Sequence, residues 1–242
     1  MAHRYLDESL TEPAVGETVR LEGPEARHAV TVSRVAAGQR LELGNGAGLV
    51  LSGTVVATQP AALELEVDSV ETVPRREPAV FLAQALAKGD RDELAIQAAT
   101  ELGVDGVIPW AASRSVVRWE GAKAVKAIER WRSIVREASK QSLRPWIPDV
   151  LDLVTTKQLA AMTAATRMLV LEPTAGAPLS ALEPDGRNLL LVVGPEGGIP
   201  EQELELLAAA GAEPVRLGPE VLRTSTAGPA ALAVLAPVLG RW

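Results

Sequence analysis

The 242-residue chain contains no cysteine and only two histidines, His3 and His28. The first absence excludes disulfides, thiolate zinc sites, iron–sulfur clusters and a cysteine nucleophile. The second leaves too few imidazoles for a multi-histidine centre, so no metal is expected. No apolar run approaches the roughly 18 to 20 residues that cross a bilayer. The opening MAHRYLDESLTEP carries no hydrophobic stretch preceded by basic residues, and the expectation is a cytoplasmic protein with no membrane partner. What is present is ordinary globular material. Hydrophobic residues make up 47% and charged residues 23%, enough for one large domain or two modest ones.

The formal charge of −7 argues against a nucleic-acid partner until its distribution is followed. Residues 113–145 hold nine basic side chains and three acidic ones, a local charge of +6 within an acidic chain. Exposed charges act over about a Debye length, roughly 8 Å at physiological salt, so such a segment can still attract phosphates. Between Trp119 and Ser142, the residues Ile128, Trp131, Val135, Ala138 and Ser142 fall near one helical face. Lys126, Arg130, Arg136, Lys140 and Arg144 lie largely opposite. One face packs, and the other is either a solvated surface or a phosphate contact. Four of the five tryptophans, Trp110, Trp119, Trp131 and Trp146, occupy this central stretch. Core or dimer packing is expected of them, with base stacking as the alternative.

The first 70 or so residues read as short strands at Thr18–Leu21, Gln39–Leu43, Leu49–Val56 and Leu63–Val70, with one helix around Glu25–Ala36. Strands at this spacing suggest a small barrel. The segment from Glu71 to Pro78 lacks apolar periodicity and contains two prolines, as a linker would. Strands and helices then alternate: a strand over 79–86, a helix over 90–102 and a strand over 104–110. The runs Arg167–Leu171, Asn188–Val193 and Pro214–Leu217 read as parallel strands buried on both faces. A last helix is placed near Thr226, with Pro229 in its first turn.

In open α/β sheets, ligands settle beyond the carboxyl ends of the strands. The loops following the last three strands begin at Glu172-Pro173, at Gly194-Pro195-Glu196-Gly197-Gly198 and at Gly218-Pro219-Glu220. Gly197-Gly198 lets backbone approach a ligand, and Pro200-Glu201 is a good helix start. A plain glycine turn between strand and helix is the alternative. A nicotinamide site does not fit: the loop lies late in the chain, and Pro214 rather than an acidic residue stands 20 positions after Gly194.

The stretches LLLVVGPEGGIPEQELELL and VRLGPEVLRTSTAGPAAL resemble the RsmE family of 16S rRNA uridine-N3 methyltransferases, of the SPOUT class. The likeness extends through Lys88-Gly89, through Glu101-Leu102-Gly103, and through the helix carrying Trp131, Glu137, Gln141 and Arg144. It also reaches the N-terminal Arg4, His28, Arg34 and Gly38. Several positions depart from the family pattern. Glu172 stands where histidine is frequent, Ser225 where glutamate is frequent, and Ala98 where lysine is frequent, and Leu143 and Pro145 interrupt what is often a glycine-and-arginine context around Arg144.

The resemblance implies an α/β fold in which a small PUA-like β-barrel for RNA over residues 1–72 precedes a linker over 73–78. A SPOUT domain over 79–242 would follow, with a parallel sheet and a C-terminal trefoil knot. It implies S-adenosylmethionine as cofactor, bound by Leu171, Glu172, Pro173, Gly194, Pro195, Glu196, Gly197, Gly198, Leu217, Gly218, Val221, Leu222, Arg223, Thr224, Thr226 and Ala227. It also implies a homodimer acting on 16S rRNA or the small ribosomal subunit.

Methylating uridine N3 requires loss of its proton, so cations or donors near the uracil oxygens are needed. Arg223 is the catalytic candidate, and bracing the backbone is its alternative role. Arg4, Arg27, Arg34, Lys88, Lys140 and Arg144 are the candidate RNA contacts. His28 is more readily a packed histidine than a catalyst. The competing functions are a SPOUT enzyme for another RNA or position, and a noncatalytic RNA-binding assembly factor.

Overall fold

The computed structural model describes residues 4–242, so His3 lies outside the described residues. The chain forms two compact units. One comprises the chain up to Arg75 together with Ser139–Ile147; the other comprises Arg76–Ala138 and Pro148–Trp242.

The N-terminal unit contains β1 (Arg4–Leu6), β2 (Thr18–Glu22), α1 (Gly23–Arg27), β3 (Arg40–Gly44), β4 (Leu49–Gln59) and β5 (Ala62–Thr72). In β5, Leu63, Leu65 and Val67 are buried while Glu66 and Asp68 are exposed, the period of two that a half-buried strand requires. The sheet runs β1-β3-β4-β5-β2. Only the β1–β3 pair is parallel. Register shifts at Ser52/Gly53 and Val55/Ala57 add twist, and the curled sheet is a half-barrel with β1 and β2 at its edges. Leu21, Leu43, Leu51, Leu63 and Leu65 pack inside it, with Ala26 and Ala29 against them.

The helix expected over Glu25–Ala36 is shorter. After α1 the chain makes a π-helical turn over His28–Val32, and Arg34 takes a left-handed conformation at φ 57°. The β-branched run Val30-Thr31-Val32 propagates a helix poorly, and Thr31 Oγ1 donates to the Arg27 carbonyl instead.

Ser139–Ile147 belongs to this unit through specific bonds. Trp146 Nε1 donates to the Val73 carbonyl at 2.7 Å, and the Ile147 amide donates to Gly46. Lys140 Nζ pairs with Glu25 at 2.9 Å, and its side chain is 7% exposed. The expectation that Lys140 lies on a solvent-facing basic face is thereby corrected: the carboxylate of Glu25 draws it inward. On that face Arg130 also pairs with Glu93 and Arg136 with Glu137.

The C-terminal unit contains β6 (Val80–Ala85), α2 (Arg91–Glu101), β7 (Gly106–Ala111), α3 (Gly121–Gln141, whose last residues enter the other unit), β8 (Asp149–Val150) and β9 (Val154–Thr155). There follow α4 (Thr156–Ala161), β10 (Arg167–Leu171), β11 (Ala177–Pro178), β12 (Leu189–Val193), α5 (Glu201–Ala209), β13 (Glu213–Arg216) and α6 (Thr224–Val238). The sheet is parallel throughout, in the order β11-β13-β10-β12-β6-β7-β8, with β9 also on β7. β12 is buried along its whole length, as a central parallel strand must be. In α3, Trp131, Val135 and Ala138 are buried, and Trp119 meets Trp131 edge to face at 5.3 Å.

α6 starts at Thr224, two residues before the expected position, so Pro229 falls in its second turn rather than its first. The proline ring deprives the Ser225 carbonyl of its helical donor. Gly228, just before it, lets the helix lie close to β6, where a Cβ would stand 3.0 Å from Leu82 Cδ2. Among the described residues, no helix is long and apolar enough to cross a membrane.

Candidate active site

β10, β12 and β13 are adjacent and parallel, so their carboxyl ends open on one edge of the sheet. The loops beyond them enclose a cavity of about 330 Å³, within the range of small-ligand sites. Leu171, Glu172 and Pro173 line it from the first loop, and Gly194, Pro195, Glu196 and Gly198 from the second. Leu217, Gly218, Val221, Leu222, Arg223, Thr224 and Ala227 line it from the third and from the start of α6. Of the residues expected there, Gly197 and Thr226 do not line the cavity. The Gly197 carbonyl accepts from Arg114 Nη1 at 3.0 Å, and the Thr226 amide closes the first turn of α6 on Arg223.

The sequence reading missed Arg91, Val193, Ile199, Val215, Arg216 and Glu220, which also face the cavity. Val193 and Val215 end or nearly end the flanking strands, and a strict reading of strand ends would have found them. Nothing in the local sequence points to Arg91. Six ionisable side chains line the cavity, Glu172, Glu196 and Glu220 against Arg91, Arg216 and Arg223, and most of the other lining residues are apolar or glycine.

The loops are held by bonds from beneath. Gln84 is fully buried at the end of β6, and its Nε2 donates to Thr224 Oγ1 at 2.8 Å. Thr224 Oγ1 in turn donates to the Gly194 carbonyl at 2.8 Å. Gly194 is closely packed: a Cβ would stand 2.6 Å from Ile199 Cγ1, so any side chain there forces a shift. Arg216 Nη1 donates to the carbonyls of Ala175 and Gly176, fixing the first loop. On α5, Glu203 accepts from the amide and hydroxyl of Ser113 and from Thr156 Oγ1. That anchors the loop from which Arg114 reaches Gly197.

Glu196 accepts from Arg91 Nη1 at 2.8 Å and from the Lys88 amide at 3.2 Å, both through Oε1. Burial opposes its ionisation, but its own amide, the Arg91 guanidinium and the Lys88 amide outweigh this and hold the carboxyl below its ordinary value. Asp92 on the next residue shows the opposite balance. Its burial raises the carboxyl, against the amides of Ala87 and Glu93 that it accepts.

The candidate RNA contacts are not alike. Arg27 and Arg34 are exposed beside the π-helical turn of the N-terminal unit, as is His28. Arg4 is turned inward, its side chain 10% exposed, bonded to Glu42 and to the Leu143 carbonyl. Lys140 is buried as described. Arg144 is half-buried. Lys88 is exposed in the C-terminal unit, beside Glu196.

A parallel α/β sheet with a three-loop cavity at its carboxyl edge is the frame of a SPOUT-type methyltransferase, and residues 75–236 match the family model described as RNA methyltransferase domain. A protein of Mycobacterium tuberculosis (strain CDC 1551 / Oshkosh) named ribosomal RNA small subunit methyltransferase E is 40% identical over 244 residues, covering 98% of this chain and 92% of its own. One of the same name from Bacillus subtilis (strain 168) is 34% identical over 93% of this chain and 92% of its own. The crystal structure of a ribosomal RNA small subunit methyltransferase E from Neisseria gonorrhoeae, bound to S-adenosyl methionine, superimposes with a TM-score of 0.87 at 29% identity and 98% coverage of both chains. A putative methyltransferase from Legionella pneumophila in complex with the same cofactor gives 0.84 at 28% identity, again over 98% of each chain. The chain belongs to the ribosomal RNA small subunit methyltransferase E family.

Proposed function

We propose that this protein transfers a methyl group from S-adenosylmethionine to N3 of a uridine in 16S rRNA, as a cytoplasmic homodimer acting on the small ribosomal subunit or its RNA. The cavity is the observation that carries the reading. Its walls of Leu171, Val193, Ile199, Val215, Leu217 and Leu222 suit an adenine and an aliphatic chain, and Glu172, Glu196 and Glu220 offer acceptors for ribose hydroxyls and an ammonium. When bound, the cofactor supplies an electrophilic methyl group on a sulfonium.

The chain's own residues do the rest. Gly194 and Gly198 bring backbone close to the ligand. Arg223, exposed on the third loop, directs a fork of donors at the uracil oxygens and favours the N3 anion. Arg27 and Arg34 on the N-terminal unit, with Lys88 on the other, contact RNA phosphates. In this reading the N-terminal PUA-like domain spans residues 1–72, the linker 73–78 and the methyltransferase domain 79–242, whose last segment is threaded as a trefoil knot.

Labelled S-adenosylmethionine incubated with the protein and unmodified small subunits tests the proposal. Label in 16S rRNA is expected. Cofactor binding without transfer would point to another RNA acceptor, and absence of binding to a noncatalytic RNA-binding factor.

A further inference from the structure

Arg91 opens α2 at a distance of 105 residues from Glu196 in the chain, yet both line the cavity. Oε1 of Glu196 takes the donors of Arg91 and of the Lys88 amide, and neither reaches the second oxygen. Two donors from α2 and the segment before it thus hold Oε1, and the residue's own amide also bonds the carboxylate. A carboxylate has about four lone-pair sites, so capacity for a further donor remains. A carboxylate on a glycine-rich loop would otherwise sample several rotamers, and ordering it on binding would weaken the ligand's hold.

We propose that Arg91 is a positioning residue of this enzyme: it orients the Glu196 carboxylate so that its second oxygen accepts from a hydrogen-bond donor of the bound cofactor. The inference rests on the cofactor reading above. Arg91 acts through Glu196 and not by touching the reacting atoms. The contact is a single charge-assisted bond, Nη1 to Oε1, so a lysine ammonium at this position can supply most of it. The charged groups around Glu196 are Arg91 from α2, Glu172 from the first loop, Arg216, Glu220 and Arg223 from the third strand and loop, and Arg114 on the neighbouring Gly197. Of these, only Arg91 is bonded to its side chain.

Calorimetric titration of S-adenosylmethionine alone into the wild type, Arg91→Ala, Arg91→Lys, Glu196→Gln and the double variant Arg91→Ala/Glu196→Gln, from pH 5 to 8, decides the matter. The wild type should bind with nearly constant affinity across this range. Arg91→Ala should bind about tenfold more weakly and lose more as pH falls towards 5, because removing the guanidinium raises the Glu196 carboxyl from its lowered position. Arg91→Lys should recover most of the loss at pH 8. Glu196→Gln should be weak at every pH, and the double variant no weaker than Glu196→Gln, because the two residues act as one unit. Wild-type affinity in Arg91→Ala, or losses that add in the double variant, would overturn the inference while leaving the cofactor reading intact. No binding by the wild type would overturn both.

Discussion

Gln84 and Thr224 lie 140 residues apart and share a buried hydrogen bond of 2.8 Å. The first is the penultimate residue of β6, and the second is the first residue of the last helix. Because Thr224 passes its own proton to the Gly194 carbonyl, the two residues set the height of the glycine loop above the sheet. Replacing Gln84 by Leu removes the donor and leaves Thr224 to bond Gly194 alone. Loss of about 1 kcal/mol of stability is expected, with weaker cofactor binding than that loss alone would produce. Denaturant melts and calorimetry on Gln84→Leu measure both.

Gly194→Ala isolates the loop itself. A methyl group 2.6 Å from Ile199 Cγ1 forces Ile199 or the loop outward, a cost of roughly 1 to 3 kcal/mol. Cofactor affinity should drop about tenfold or more, and the thermal midpoint should fall by roughly 2 to 12 °C. Equal affinity to the wild type would mean that the loop does not approach the ligand.

Arg223→Ala should lower the single-turnover rate of methylation at saturating cofactor by about 10² to 10³, a larger change than in cofactor affinity. Rapid-quench kinetics on small subunits separates the two. An unaltered rate would assign Arg223 to bracing the loop.

The cations of the N-terminal unit divide by burial. Arg27→Glu with Arg34→Glu should weaken RNA binding and flatten its salt dependence by about two charges without touching the melting temperature. Lys140→Ala should do the reverse. It removes a charge-assisted bond from the part-buried Glu25, and destabilisation of about 1.5 to 3 kcal/mol is expected. Salt titrations and melts on the same variants distinguish the classes.

How much of this was legible in the sequence depended on how local each cause is. Arg167–Leu171 was found to the residue because an apolar run bounded by polar turns needs no partner to declare itself. The three site loops followed from the strand ends and their glycines. Lys140 and Arg91 were different. Each is placed by a carboxylate more than a hundred residues away, Glu25 and Glu196, and helical periodicity could assign Lys140 only to a face, not to a partner. The π-helical turn after Arg27 lay between. Its β-branched residues warned of a weak helix, but the form of its ending depended on the sheet packed against it.

One ion pair gives the acid limb of the stability curve a testable component. The Glu213 carboxyl is held below its ordinary value chiefly by its hydrogen bond to Arg167, against a smaller opposing effect of burial. A depressed carboxyl contributes stability that is fully present above its unfolded-state value and is lost as pH falls through the folded one. Arg167→Ala should therefore cost stability at pH 7 and little at pH 2. Glu213 is 43% exposed, so the difference should stay below about 1 kcal/mol. Denaturant melts across that range provide the check.

The central claim is tested most directly by the identity of the product. Small subunits lacking the modification, treated with this protein and S-adenosylmethionine, should yield N3-methyluridine from a single 16S rRNA position on nuclease digestion and mass spectrometry. A methyl group on another base, on ribose, or on no nucleotide of the subunit would contradict the account.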